Sequence, residues 1–483
     1  MEEQWTVDAN EALTISLVRP GLSGIENIES FKPKFTYSIF GEDEQIFGHK
    51  GLKINLRFDA RDLRPNLSVS SLRKFNSIGD VEALDVKETL REYLPGVAIQ
   101  SKKDFEQAVN SISETWTPPG SLVKTINKNG EVYEIWHGTL AMPIIQQMVK
   151  RIQILVLFYI EGGSYITDLD GVEESEAVRA RWSVFFVYKV TPTSQDKQYT
   201  FQGFATTHKF WMFQPPTAPG SGAKKVNDLW ELSKGGPDDE MVHRMRISQF
   251  VILPPFQGKG IGSMLYSTMF NIAMNASATI EVTVEDPNED FDLLRDLCDM
   301  KYLRKNVPEF ARVKVNTDIA IPEKGGLLHN NTRISGYDAN TSDDGIVDME
   351  KLESLRIKHK IAPRQFMRLV EMQLMSKLPD SVRPQSDPEA KKSSATKAEK
   401  HVYVLWRILL KQRLYRRNVA ILGEFEITER IIKLNDVLDN VEWEYARILD
   451  RLEPKPVTGG KRKLNSEADV ESPSSKKARV EDA

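Results

Sequence analysis

The chain has 483 residues, 40% of them hydrophobic and 28% charged, with a formal net charge of −4. That length suits about three domains of roughly 150 residues and more than one apolar core, and the slight acidity argues against nucleic-acid wrapping and suits a basic partner. The single cysteine, Cys298, excludes an internal disulfide and a multi-cysteine metal centre and fits cytosol or nucleus.

The seven histidines show no metal-ligand spacing, so no metal is expected. The N-terminus is acidic and lacks the apolar run of a signal peptide. The longest apolar stretch, residues 152–160, is far short of the ~20 residues that a membrane span needs. No membrane association is expected.

Residues 1–130 read as an α+β unit. Phe35–Phe40 and Leu52–Phe58 have strand character, with the acidic turn Gly41-Glu42-Asp43-Glu44-Gln45 between them. Asp85–Tyr93 reads as a helix ended by Pro95-Gly96. Residues 131–305 read as an α/β core. Strands are expected at Val132–Trp136, Arg181–Val190, Thr200–Phe213, His243–Leu253 and Thr279–Val284, and helices at Pro143–Lys150 and Gly262–Ala276. The apolar run at 152–160 reads as a buried strand or a short helix; as a strand ending Phe158-Tyr159-Ile160 it would present Glu161. Among Phe201, Phe204, Phe210, Trp211 and Phe213, alternation predicts a mixture of core and groove positions. Residues 214–238, rich in Pro, Gly, Ser and Lys, read as an insertion loop.

Residues 306–453 read as helical, with helices over 361–374, 401–415 and 421–449. Residues 454–483 read as a disordered tail. Its two basic clusters, at 461–463 and 476–479, have the pattern of a nuclear-import signal.

The segment richest in chemistry is Gln249–Ser263, an apolar strand, a double proline, three glycines at alternate positions (Gly258, Gly260, Gly262), then an amphipathic helix. Missing Cβ atoms allow close approach of backbone N–H groups. The first N–H groups of a helix lack intrahelical partners, and its dipole is positive there. A pyrophosphate suits such a junction. The spacing fits neither a Walker loop nor a dinucleotide fingerprint. In the next strand, alternation puts Glu281, Thr283 and Glu285 on one face, with Glu285 at the carboxyl end, where α/β sheets bind ligands.

Three blocks in order, Phe47-Gly48-His49-Lys50-Gly51-Leu52, Phe256–Gly262 and Val284-Glu285-Asp286-Pro287-Asn288, resemble the type B histone acetyltransferases of the GNAT superfamily. The second matches the acyl-CoA motif Q/R-x-x-G-x-G/A. The resemblance spans about residues 5–310 with specific motifs, and the helical region more loosely. It implies a GNAT-type mixed sheet flanked by helices, an acetyl-CoA co-substrate, and acetylation of lysines on free histones, chiefly the histone-four tail. It also implies a WD-repeat propeller chaperone as partner and a place in nucleus and cytoplasm.

By the same resemblance, backbone groups of Phe250, Val251 and Ile252 would bind the acetyl and pantetheine parts. Gln257, Gly258, Lys259, Gly260, Ile261, Gly262 and Ser263 would hold the pyrophosphate, and Asn288 would lie near the thioester. Glu285 would be the general base, assisted by Glu161 and Asp286. Glu42, Asp43, Glu44, His208, Lys209 and Phe210 would meet the histone tail, although Lys209 stands where an uncharged residue is expected. The chemistry suits these residues: a lysine amine is protonated at neutral pH, and a carboxylate made more basic by burial and like-charged neighbours could take its proton. Two competitors are an acetyltransferase of small amines, which leaves the acidic N-terminal unit without a purpose, and a non-catalytic module, which predicts loss of Glu285 or the glycines.

Overall fold

Period-two alternation near the start of the chain produces a four-stranded sheet. Its strands are Leu13–Gly21 (β1), Gly24–Phe31 (β2), Lys53–Asp59 (β3) and Pro65–Ser70 (β4), in the order β2-β1-β3-β4. The parallel β1–β3 pair sets Leu13, Ile15 and Leu17 beside Ile54, Leu56 and Phe58, all of them buried. The computed structural model describes residues 5–22, 24–166, 176–192, 196–214, 231–232, 241–319, 321, 345–387 and 393–453. The basic tail and all of the 214–238 insertion except 214, 231 and 232 lie outside the described residues. Phe213–Gln214, where that insertion begins, pairs with Glu231–Leu232 within it.

The expected strand at Phe35–Phe40 is instead a short helix, Tyr37–Phe40. Its start is held from a distance. The Glu44 carboxylate accepts the backbone N–H groups of Thr36 and of Tyr37 (3.0 Å), an end-capping contact that a local reading of propensity does not include.

The second sheet is built from Ser121–Lys128 (β5), Glu131–Thr139 (β6), Trp182–Pro192 (β7), Lys197–Trp211 (β8), His243–Ile252 (β9) and Thr279–Val284 (β10). The order is β10-β9-β8-β7-β6-β5, and only β9–β10 is parallel. Val184 to Tyr188 are buried one after another, so both faces of β7 are covered there. On β8, Phe201 and Phe204 are core, Phe210 is half-buried and Trp211 exposed, the expected mixture.

Of the two readings of the apolar run at 152–160, the short helix is the one formed, and the strand that would present Glu161 is not. Pro143–Ile152 (α1) and Ile154–Tyr159 (α2) are consecutive helices. Ile154 to Phe158 are all buried, and a segment buried all round shows neither the helical nor the strand period. The parallel pair β9–β10 is joined by Ile261–Asn275 (α3).

The chain divides into two compact units, residues 1–285 and 286–483. The second sheet, which begins at Ser121, lies in the first unit, and the helix after β10 belongs to the second. That unit is helical, with Glu289–Asn306 (α4), Pro363–Ser376 (α5), Lys397–Arg417 (α6) and Ile427–Leu452 (α7) its long helices among the described residues. A buried polar network joins them. Arg368 meets Asp296 at 2.8 Å, Gln365 donates to Asp296 and Asp299, and Glu371 accepts from Arg413 and Tyr445 at 2.8 Å each. Removing one member would strand a buried charge.

Candidate active site

β9 and β10 run together only as far as Ile247 and Val284. One more bond, from Glu285 N–H to the Ile247 carbonyl at 2.9 Å, closes the paired part. β8 pairs Thr207 with Ile247 and Thr206 with Gln249, which leaves Ser248 as an inserted residue on β9. Such a bulge bends its strand and increases its twist. It falls where the two parallel strands part, and β9 then continues to Ile252 with β8 as its partner strand. The buried Ser248 hydroxyl at this fork has no hydrogen-bond partner among the described residues. A strand with one edge lacking a partner strand can bond an extended ligand that carries amides, as the pantetheine arm of acetyl-CoA does.

At the end of β9, Pro254–Phe256 makes a single tight turn. The Gln257 side chain turns back and donates to the Ile252 carbonyl at 2.8 Å. Gly258 and Gly260 then adopt left-handed φ of 71° and 80°, which L side chains rarely reach. Gly260 is the N-cap of α3 and, having no side chain, makes no capping bond to that end. Bare glycines, first-turn N–H groups and the positive end of the dipole therefore meet in one place, and they fit a diphosphate.

Glu285 lies just past the last β9–β10 bond, with its side chain 44% exposed. Its Oε1 is 3.3 Å from Nη1 of Arg246. The register sets Trp182, His208, Arg246 and Thr283 side by side across β7, β8, β9 and β10. Arg246 stacks over Phe210, 4.2 Å from the ring centre. The His208 ring lies between Trp182 (4.6 Å) and Phe210 (4.4 Å). Its buried Nδ1 has no hydrogen-bond partner among the described residues. Burial, with Arg181 and Arg246 nearby, pushes its pKa down to about 4.

The other expected residues have separate settings. Glu161 follows α2 and is exposed. Its loop is tied to β9 by Gln249, whose amide donates to the Ser164 carbonyl at 2.9 Å, and Gly162 N–H donates to the Tyr37 hydroxyl at 2.6 Å. Asp286 is exposed, with a positive φ of 35°. Glu161, Glu285 and Asp286 are therefore all exposed, each in the loop that follows an element. Asn288 caps α4 by accepting the Phe291 N–H at 2.9 Å. Glu42 and Asp43 are exposed, whereas Glu44 is taken up by the Tyr37 turn and by Asn10 (2.7 Å). The Lys209 carbonyl accepts both Nε and Nη2 of Arg181.

Sequence reading missed Arg246, Ser248, Gln249 and Gly203. The first three act through register and leave no local mark. Gly203 does leave one, as a glycine inside a strand. A Cβ there would lie 2.3 Å from the Val251 carbonyl oxygen, so β8 leaves no room for a side chain against the end of β9.

A mixed sheet whose one parallel pair splits beside a glycine loop, with a carboxylate at the split, defines a GNAT-type acetyltransferase. The "Acetyltransferase (GNAT) family" matches residues 203–290, "Histone acetyl transferase HAT1 N-terminus" matches residues 5–161, and "Fungal HAT1, C-terminal" matches residues 331–379. A histone acetyltransferase type B catalytic subunit of Gibberella zeae is 45% identical over 492 residues, covering 99% of both chains. The proteins of that name from Pyricularia oryzae and Candida albicans are 42% and 32% identical, covering 99% and 93% of this chain and 99% and 91% of their own. The chain belongs to the family of type B histone acetyltransferase catalytic subunits, and it is an acetyl-CoA-dependent enzyme.

Proposed function

We propose that the chain acetylates the ε-amine of lysines on free histones, chiefly the histone-four tail, by direct attack within a ternary complex. The observation that carries this reading is Glu285 at the fork of β9 and β10, beside the strand edge and glycine loop that suit acetyl-CoA. When bound, acetyl-CoA supplies the acetyl group and a thiolate leaving group. Glu285 takes the proton of the lysine amine, directly or through water. Phe250–Ile252 align the pantetheine arm by backbone bonds, and residues 257–263 hold the diphosphate. Glu161 and Asp286 add negative charge that attracts the cationic lysine, and Asn288 lies near the thioester.

Exposed Glu42 and Asp43 and the Trp182–His208–Phe210 row receive the tail. A WD-repeat propeller subunit is the expected partner, and the basic clusters of the tail support a cycle between cytoplasm and nucleus. The test is acetyl transfer from acetyl-CoA to a histone-four tail peptide and to a polyamine. Preference for the polyamine would replace the histone reading with that of a small-amine enzyme.

A further inference from the structure

We propose that Lys128 is a phosphate-binding residue of the acetyl-CoA site, a cation that the β5–β6 hairpin delivers to the glycine loop. Lys128 is the last residue of β5. Asn129 and Gly130, with φ of 52° and 82°, make a left-handed two-residue turn into β6, and such turns match the twist of the strands they join. The hairpin therefore fixes where Lys128 stands.

Its Nζ donates to the Lys259 carbonyl at 2.6 Å, across 131 residues of chain. It also lies directly against Gly260, where an added Cβ would be 1.9 Å from it. The ammonium thus rests on the loop between the two left-handed glycines, at the end of α3 where the N-cap glycine offers no capping side chain.

That placement is electrostatically unfavourable within the chain alone. A helix start carries partial positive charge, and a cation beside it is repelled. Lys259 adds another positive charge to the same loop. Among the described residues Lys128 makes no ion pair that would offset this. The nearby carboxylate, Glu131, accepts hydrogen bonds from Lys189 and from the Tyr133 hydroxyl (2.5 Å). These bonds, Lys189 first, and more weakly the charge of Lys259, hold its pKa below the usual carboxylate range. An anion lying between the loop N–H groups and the Lys128 ammonium satisfies both. The chemistry is that of a phosphate, either the diphosphate or the ribose 3′-phosphate of acetyl-CoA.

The proposal rests on residues 257–263 forming the diphosphate loop, and its test separates the two. Acetyl-CoA affinity is measured by calorimetry for the wild-type chain, Lys128→Met, Lys128→Arg and Gly260→Asp, at low and high salt. Lys128→Met should bind on the order of tenfold more weakly at low salt, and the difference should shrink at about 0.5 M salt, because the lost interaction is a screened charge contact. Lys128→Arg should stay close to wild type. The same titrations with acetylated 3′-dephospho-CoA assign the partner. A persisting defect assigns the diphosphate, and a vanishing one assigns the 3′-phosphate. Wild-type affinity for Lys128→Met at low salt overturns the proposal. So does a loss equal at both salts, which would reflect loop shape through the Lys259 carbonyl rather than charge. Unchanged binding by Gly260→Asp would instead overturn the loop assignment.

Discussion

Arg246 Nη1 lies 3.3 Å from Glu285 Oε1, and the same guanidinium stacks on Phe210. The pair sits on adjacent parallel strands at the last point where they are bonded, so the carboxylate is held at the mouth of the fork rather than left to swing. If Glu285 is the base, Glu285→Gln should lower kcat by about 10²–10⁴. Acetyl-CoA affinity should stay within about a factor of two, because the variant keeps the shape of the site and removes an interaction made in the transition state. Wild-type turnover of Glu285→Gln on the tail peptide would move the base elsewhere.

Gly260 should tolerate no acidic side chain. Its φ of 80° disfavours any L residue by roughly 1–2 kcal/mol, and a carboxylate would stand where the diphosphate belongs. Gly260→Asp is expected to bind acetyl-CoA at least about 100-fold more weakly, while the melting transition of the chain stays cooperative. Calorimetric titration beside a thermal scan checks both parts.

The glycine loop and Glu285 were legible in the sequence because their constraints are local. A left-handed turn needs glycine, and a strand end is marked by Pro287. What was not legible depends on distant residues. Glu44 reads as one of three surface acids, yet Asn10, Thr36 and Tyr37 claim its oxygens. Residues 152–160 read as either a strand or a short helix, because an all-apolar run carries no period to decide between them. Arg246 and Gln249 take their roles from the register of β8 and β10 and from a loop 85 residues away. No window of sequence contains those relations.

Gly203 tests how tightly β8 packs against the end of β9 beyond the fork. A methyl group at this position would press on the Val251 carbonyl oxygen at 2.3 Å and on Ile252 Cα at 2.9 Å, both backbone atoms that cannot turn aside. Gly203→Ala should cost about 1–3 kcal/mol of stability as an overpacked site. It should also weaken acetyl-CoA binding, since the displaced residues belong to the strand edge. Urea unfolding and titration measure the two effects. A change within about 0.5 kcal/mol would mean that β9 can move away without strain.

His208 makes the first unit sensitive to acid. Its folded pKa of about 4 lies below the ordinary value of 6.5, so the unfolded chain binds the proton more readily. The contribution of neutral His208 is therefore complete above pH 6.5 and is lost as pH falls from there toward 4. His208→Phe keeps an aromatic ring between Trp182 and Phe210 and removes the titration. It should flatten the dependence of stability on pH across that window, and NMR titration of the wild-type ring should give a midpoint near 4. A midpoint near 6.5 would mean that neither burial nor the flanking arginines act on it in solution.

Glu44 and its two acidic neighbours should separate when mutated, although they adjoin in sequence. Glu44→Ala removes the acceptor for Thr36 and Tyr37 N–H at the start of the turn, and the bond to Asn10. Loss of a cap of this kind costs about 0.5–2 kcal/mol, so the melting temperature should fall. The Tyr37 hydroxyl that receives Gly162 N–H would lose its fixed position too. The loop bearing Glu161 should then loosen, and kcat should drop together with stability. Glu42→Gln with Asp43→Asn changes only exposed charge. That double variant should leave melting unchanged and raise KM for the histone tail, with the effect fading as salt screens the attraction. Equal melting temperatures for Glu44→Ala and wild type would return Glu44 to the group of tail-contacting acids.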